Sequence, residues 1–572
     1  MNRLLKIKDA EVTIAREGQS HTVKIPDLEV SAGSTTILLG PSGSGKSVLL
    51  KTLSGVFPSG TTQSFGEFEV CGQSLKALSP RIAESKGDPL NKLFYIFQDP
   101  RTYLHSRLSI RQYGALLAKK DRHRVDVEEV FSKLIRDAGL EHRIDTASNH
   151  LSGGEAQRLM LVMMQVLKPK LVLADEPLSA QDRLHHENLR TQLNRYIGNA
   201  DEERGLLLVT HEIRDLEQSF RDGLAPRFYV LEQEAPGQFC VSPEIDASEI
   251  SAALSGVSDK AAEDLSIENA NIPDTVRQFF LSARELASHR RDQKDTQSQA
   301  QAPLLGVSEL SFSWWRGRTE APLFEALSFV SHKGENLGIM GLSGVGKSTL
   351  AEVLLRLVQG HKGEILWFGS RDLKDGDFRN RVQYVFQDCE RAMAWETSTL
   401  ETAVLRAIGR NASELDTHES GQLDEILKTL GLDRLKDKEV LELSGGQLRR
   451  AYIARALFKL LFDQRKDEPI VLVLDEATVG LDLVAQHRLL SLLDSYCSDT
   501  SKQLTLVVIS HDPVVVRYLS DQLVIMQKED SSQSGASIVE TLFGEEIAQG
   551  PYLHDHTRDL MSTQYLSRQA LG

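Results

Sequence analysis

Two stretches of this chain have the composition of a phosphate cradle: Gly40-Pro41-Ser42-Gly43-Ser44-Gly45-Lys46-Ser47 and Gly341-Leu342-Ser343-Gly344-Val345-Gly346-Lys347-Ser348. Glycines let the backbone N–H groups wrap around phosphate oxygens, a lysine at the end reaches the β/γ oxygens, and the serine hydroxyl after it can ligate Mg2+. Each stretch follows an apolar run, Thr35 to Leu39 and Leu337 to Met340, so both have the strand–loop–helix setting that a P-loop requires.

Four further features recur in the same order behind each loop. Phe97-Gln98-Asp99 and Phe386-Gln387-Asp388 come first. Leu151-Ser152-Gly153-Gly154-Glu155 and Leu443-Ser444-Gly445-Gly446-Gln447 follow, each offering a hydroxyl, bare backbone N–H groups and the positive end of a helix, a combination suited to a phosphate. Next are two apolar runs ending in acids, at Asp175-Glu176 and Asp475-Glu476. The Asp is placed to hold Mg2+, and the Glu to take a proton from a hydrolytic water. Last come His211-Glu212 and His511-Asp512, again behind apolar runs. The loops and the histidines are offset by 301 and 300 positions (341−40 and 511−211), which marks an internal duplication.

The elements needed to position these groups are legible around them. LKIKDAEVTI and HTVKIPDLEV alternate as antiparallel strands should, whereas the runs before Asp175 and Asp475 are apolar throughout, as buried parallel strands are. From about Pro243 to Pro303 the chain is polar and acidic, with one amphipathic helix expected around Val276 to Leu286. After about Gln527 it is Ser/Gly-rich and then polar and helical in flavour. The expected division is therefore 1–242, a linker 243–303, 304–528, and a tail 529–572.

Taken together, these motifs resemble those of the ABC ATPases. The resemblance implies an α/β fold of two P-loop NTPase (ABC-type) domains, each a RecA-like α/β core with an antiparallel β subdomain and a helical signature subdomain. It makes ATP and Mg2+ the ligands. It also implies that each signature completes the other module's site, Ser444, Gly445 and Gly446 facing Lys46 and Ser47, and Ser152, Gly153 and Gly154 facing Lys347 and Ser348. Within each site Gln98 and Gln387 are the Q-loop residues at Mg2+ and water, His211 and His511 contact the γ-phosphate, and Glu176 and Glu476 act as bases. ABC modules commonly stack adenine on an aromatic residue ahead of the P-loop. Trp314 fits that place in the second half and Ile14 occupies it in the first, so the first site is expected to hold adenine less well, stacking being worth roughly 1–3 kcal/mol.

Composition narrows the class. A charge of −15 and a pI near 5.6 argue against a generally basic nucleic-acid surface. The four cysteines have no CxxC spacing, which counts against excision-repair ATPases with zinc modules. No run reaches the roughly 18 apolar residues of a membrane span, and the N-terminus lacks a signal-peptide core. The expected location is the cytoplasmic face of the inner membrane, as a peripheral protein. Phe97 to Leu104 (FQDPRTYL), LSGGQLRRAYIARAL, LDEATVGLDLVAQ and Ile538 to Thr541 resemble the peptide/nickel importer ATPases. That resemblance implies two transmembrane permease subunits and an extracytoplasmic solute-binding protein as partners, with no nucleic acid. The alternative is a translation-factor-type tandem ATPase, whose usual basic arm this acidic linker does not match. A sugar-importer tandem is less supported by the flanking residues.

Overall fold

The computed structural model describes residues 2–16, 19–41, 43–56, 60–74, 92–98, 100–120, 127–177, 183–198, 203–210, 216, 219–220, 226–235, 237–258, 267, 270, 272–289, 303–314, 322–342, 344–387, 397–443, 445–463, 468–499, 501–528 and 534–561. The chain forms two compact units, one built on Met1–Leu281 and one on Ser282–Leu566.

In the first unit, β1 (Arg3–Arg16) and β2 (Gln19–Ser31) pair antiparallel, as their alternation predicts. Three short strands, β4 (Thr61–Ser64), β5 (Glu67–Val70) and β6 (Gln73–Ser74), extend this antiparallel part. The parallel part runs in the order β10 (Arg227–Ala235), β3 (Thr35–Leu39), β9 (Gly205–Val209), β8 (Leu171–Asp175), β7 (Leu93–Ile96). Strand β11 (Gln238–Val241) joins the two parts, parallel to β2 and antiparallel to β10. Strands β3, β8 and β9 are buried at every residue, which is why their sequences show no alternation.

The second unit repeats the plan. Strands β12 (Pro303–Phe312), β13 (Phe324–His332) and β15 (Lys362–Trp367) are antiparallel, and β19 (Gln522–Lys528), β14 (Leu337–Gly341), β18 (Leu504–Ile509), β17 (Ile470–Asp475) and β16 (Val382–Val385) are parallel. The joining strand here is β20 (Ala536–Phe543), parallel to β13 and antiparallel to β19. Residues expected to form a tail thus supply the counterpart of β11. Their sequence, S-I-V-E-T-L-F, pairs its apolar residues instead of alternating them and follows a Ser/Gly-rich stretch, so no strand period marks it.

Helix α1 (Lys46–Leu53) follows the first loop, α2 (Gly153–Leu167) the first signature; α4 (Lys347–Leu354) and α5 (Gly445–Asp463) are their counterparts. Around Leu159, Phe131, Ile135 and Leu140 a separate helical core forms in the first unit, apart from the sheet core around Leu38, Leu50 and Leu173. The amphipathic helix expected in the linker is α3 (Asp274–Ser288), between α2 and α4 in the chain. Its buried residues Val276, Phe280, Ala283 and Leu286 recur at helical spacing. Its C-terminal end is fixed in the second unit: His487 Nε2 lies 2.9 Å from Glu285 Oε2, and the His289 ring stacks 3.6 Å from that of Tyr518.

Candidate functional site

Each phosphate loop turns into its helix through a glycine in the left-handed region, Gly45 at φ 97° and Gly346 at φ 103°. A Cβ there would also lie 2.9 Å from Val23 Cγ2 or 3.0 Å from Leu323 Cγ, so glycine is required twice over. The two lysines are buried and bridge their own loops. Lys46 Nζ donates to the carbonyls of Gly40 (2.7 Å) and Pro41 (2.8 Å), Lys347 Nζ to those of Gly341 (2.8 Å) and Leu342 (3.1 Å). A cation pinned by carbonyl oxygens at the mouth of an N–H-lined loop is placed for a polyphosphate.

Asp175 and Asp475 end their strands buried, and in both one oxygen, Oδ2, accepts from a tyrosine: Tyr95 Oη at 3.0 Å and Tyr384 Oη at 2.9 Å. The other oxygen, Oδ1, is buried in each with no hydrogen-bond partner. Burial raises both carboxyls, Asp475 to about 6, while the neighbouring Ser47 and Ser348 hydroxyls pull the other way. A buried, unpartnered carboxylate oxygen beside a hydroxyl, in a place where ionisation is disfavoured, is the donor set a hard divalent cation would satisfy. Mg2+ therefore fits these residues, with Ser47 and Asp175 holding it in one module and Ser348 and Asp475 in the other.

Glu176 and Glu476 stand immediately beyond those strands, in the left-handed region at φ 46° and 49°. Their backbone N–H groups are held by Val209 O (3.0 Å) and Ile509 O (2.9 Å) on the neighbouring strand. Such a conformation costs of order 1–3 kcal/mol and persists only where the surroundings impose it; finding it at the same acid in both modules is a mark of function. Gln98 Nε2 donates to Glu176 Oε2 at 2.7 Å, and in the second module His511 Nδ1 lies 2.9 Å from Glu476 Oε1. Burial alone would raise Glu476, but His511 and Lys347 hold it below the usual range, and Glu476 in turn raises His511. Glu476 is thus kept ionised, the form that accepts a proton.

The first signature is a helix cap. Glu155 N–H donates to Ser152 Oγ (3.2 Å), Ser152 N–H donates to Glu155 Oε2 (2.8 Å), and Arg143 Nε donates to Glu155 Oε1 (3.0 Å). Gly153 and Gly154 open α2. In the second signature, Gly445 and Gly446 open α5, and a Cβ on Gly446 would come 3.2 Å from Gly480 O. Ser42, Ser343, Ser444 and His211 lie outside the described residues. Trp314, just beyond β12, is 47% exposed and touches Phe312 edge-on at 5.1 Å; Ile14 is buried within β1.

Sequence reasoning missed two kinds of residue. Tyr95 and Tyr384 both stand three positions before the Q-loop glutamine, a repeat that could have drawn attention. Arg449, on α5, donates through Nη1 to Glu476 O (2.9 Å) and Val479 O (2.7 Å) and through Nη2 to Gln387 O (2.7 Å), tying the signature helix to the acid and to the Q-loop at once. Its counterpart Gln157 reaches Gln98 O at 3.4 Å.

The family profile described as "ABC transporter" matches residues 23–179 and 324–479, one copy on each module. The chain belongs to the ABC transporter family. It is a tandem ABC ATPase, and this family fold implies ATP binding and hydrolysis. Among the relatives of this ABC protein are an Escherichia coli protein named "Uncharacterized ABC transporter ATP-binding protein YejF", 26% identical over 93% of this chain and 95% of its own length. Two others are the "Peptidoglycan transport ATP-binding protein YejF" of Agrobacterium fabrum, 26% identical over 98% of this chain and 96% of its own, and the "Glutathione import ATP-binding protein GsiA" of Pectobacterium atrosepticum, 26% identical over 98% and 89%. Solved structures of the same fold include a complex of the archaeal ribosomal stalk protein aP1 with the ribosome recycling factor aABCE1, at 21% identity, TM-score 0.59 and 94% and 90% coverage, and "RNase-L Inhibitor", at 21%, 0.58, 94% and 91%. Among the described residues no helix is long and apolar enough to cross a membrane.

Proposed function

We propose that this chain is the ATP-hydrolysing subunit of an importer for a peptide, nickel or metal-chelate type solute, with both nucleotide-binding domains in one polypeptide. The observation that carries this reading is the near full-length similarity to chains named for transport or import, which spans both modules. The FQDPRTYL stretch supports it. In this reading the partners are two transmembrane permease subunits and an extracytoplasmic solute-binding protein, and the chain works as a peripheral protein on the cytoplasmic face of the membrane.

The residues divide the work as follows. Lys46 and Lys347 bind the β/γ-phosphates within the loops, with Gly40, Ser42, Gly43 and Gly45, or Gly341, Ser343, Gly344 and Gly346, supplying the loop's N–H groups. When bound, Mg2+ would neutralise phosphate charge, held by Ser47 and Asp175 or Ser348 and Asp475, with Gln98 and Gln387 beside it. Glu176 and Glu476 take the proton from water, and His211 and His511 orient the acid and the terminal phosphate. Ser152 with Gly154, and Ser444 with Gly446, complete the site of the opposite module, so that ATP closes the modules and hydrolysis releases them.

A second reading, a ribosome-acting tandem ATPase, draws on the likeness to the aABCE1 and RNase-L Inhibitor structures. At 21% identity that likeness speaks for the fold alone. The discriminating experiment is affinity purification of the tagged chain in the presence of ATP. Recovery of two integral membrane proteins supports the importer; ATP-sensitive recovery of ribosomal particles instead would overturn it.

A further inference from the structure

We propose that the first module stacks the purine base of its nucleotide on His21, backed by Phe239, in place of the aromatic residue that the first strand lacks at Ile14. The proposal rests on the nucleotide-site reading of the first P-loop and concerns where that site finds its base platform.

Ile14 and His21 are direct partners in the antiparallel register of β1 and β2, so the residue facing the aliphatic position across the pair is itself a ring. That ring is partly exposed and stands at the mouth of the phosphate loop. His21 Nε2 lies 3.0 Å from the Gly43 carbonyl oxygen, and a Cβ placed on Gly45 would be 3.8 Å from His21 Cδ2. One face of the imidazole is stacked on Phe239, with ring centroids 4.9 Å apart and planes inclined by 29°. Phe239 is buried and is brought there by β11, which runs parallel to β2 with Phe239 beside Val23. A tilted pair of rings held by strand pairing and by a loop hydrogen bond is a preorganised surface for a third ring, because base–aromatic stacking needs only a fixed flat face.

The second module shows that this is an exchange of devices and not a feature of the fold. Leu323 contacts the helix-capping Gly346 as Val23 contacts Gly45, so the two positions correspond. Two residues before Leu323 the sequence has Ala321, where the first module has His21. On the joining strand the register pairs Phe324 with Ala536, which leaves Gly535 beside Leu323 where the first module places Phe239 beside Val23. The second module therefore lacks both rings, and it carries the exposed Trp314 that the first module lacks. Among the described residues the two modules thus present aromatic surfaces from different strands, His21 on β2 with Phe239 on β11 in the first and Trp314 just beyond β12 in the second.

The test uses the full chain carrying Lys347→Ala, which leaves the first site as the main binder, and measures affinity for Mg-ATP and for Mg-tripolyphosphate, which has phosphates but no base. His21→Ala in this background should weaken ATP binding about tenfold and leave tripolyphosphate unchanged. His21→Phe, which keeps the ring and removes the nitrogen near Gly43, should retain ATP affinity within about twofold, and Phe239→Ala should reproduce part of the loss seen with His21→Ala. An equal loss of ATP and tripolyphosphate in His21→Ala would show that His21 only braces the loop and would overturn the platform, as would unchanged ATP affinity. Failure of the Lys347→Ala chain to bind either ligand would instead overturn the nucleotide-site reading itself.

Discussion

Replacing Asp475 with Asn should stabilise the protein when no divalent cation is present. The carboxyl is 1% exposed; Tyr384 satisfies Oδ2, Oδ1 has no partner, and burial has raised the group to about 6. Lifting a carboxyl from near 4 to about 6 corresponds to about 3 kcal/mol of disfavoured ionisation. The sign follows from protonation. A raised carboxyl binds its proton more tightly in the folded chain, so the penalty is absent below about pH 4, grows as the pH rises through 6, and is complete above that. Asn keeps the shape and never ionises, and its poorer fit to the Tyr384 and Ser348 hydroxyls costs about 1 kcal/mol. At about pH 7.5 in EDTA, Asp475→Asn should therefore be more stable than the parent by about 2 kcal/mol, and the advantage should vanish towards about pH 4.5. Urea unfolding followed across this pH range measures it directly. Adding Mg2+ with ATP should reverse the order, since only the parent carboxylate gains a ligand. A variant less stable than the parent in EDTA at neutral pH, or a difference independent of pH, would refute the reasoning that burial of this carboxylate outweighs its partners and leaves a charge placed for a cation.

Glu476→Gln should cut hydrolysis by about 100-fold or more with ATP binding retained, as turnover and equilibrium binding measured side by side would show; near-normal turnover removes Glu476 from the role of base. Arg449→Gln gives the second module the residue of the first and removes charge-assisted bonds to three carbonyls, so the second module should lose about 1.5–3 kcal/mol of stability in urea titrations. Trp314→Ala should weaken ATP binding about tenfold in a Lys46→Ala background, equivalent to about 1.4 kcal/mol, while leaving tripolyphosphate binding unchanged.

Much of this architecture could be read from residue order, because strand–loop–helix phosphate sites and fully apolar strands ending in Asp-Glu leave few alternatives. The positions of β3, β8, β14 and β17 and the loops they carry followed from that patterning alone. What escaped was long-range. Strand β20 carries paired apolar residues with no alternation after a Ser/Gly-rich stretch, and its place between β13 and β19 is a matter of the sheet edges there, which no local pattern reveals. The linker helix α3 was expected from its apolar spacing, but its fixation through His289 and Tyr518 depends on a residue more than two hundred positions away. The same is true within the site. Tyr95 and Tyr384 act on acids 80 and 91 residues downstream, and the pairing of Ile14 with His21 shows its meaning only once β11 delivers Phe239. The strained backbone of Glu176 and Glu476 is likewise a property of the strand–turn junction and of the neighbouring strand that holds it.

The proposal that ATP turnover by this chain drives import is tested most directly by reconstituting the chain in liposomes with two integral membrane proteins recovered in the affinity purification and measuring ATPase rate with and without solute-loaded binding protein on the opposite face. The account predicts a rate several-fold above that of the isolated chain, dependent on the loaded binding protein and abolished by Glu176→Gln together with Glu476→Gln. A rate unaffected by permeases and binding protein, but raised by purified ribosomes, would contradict it.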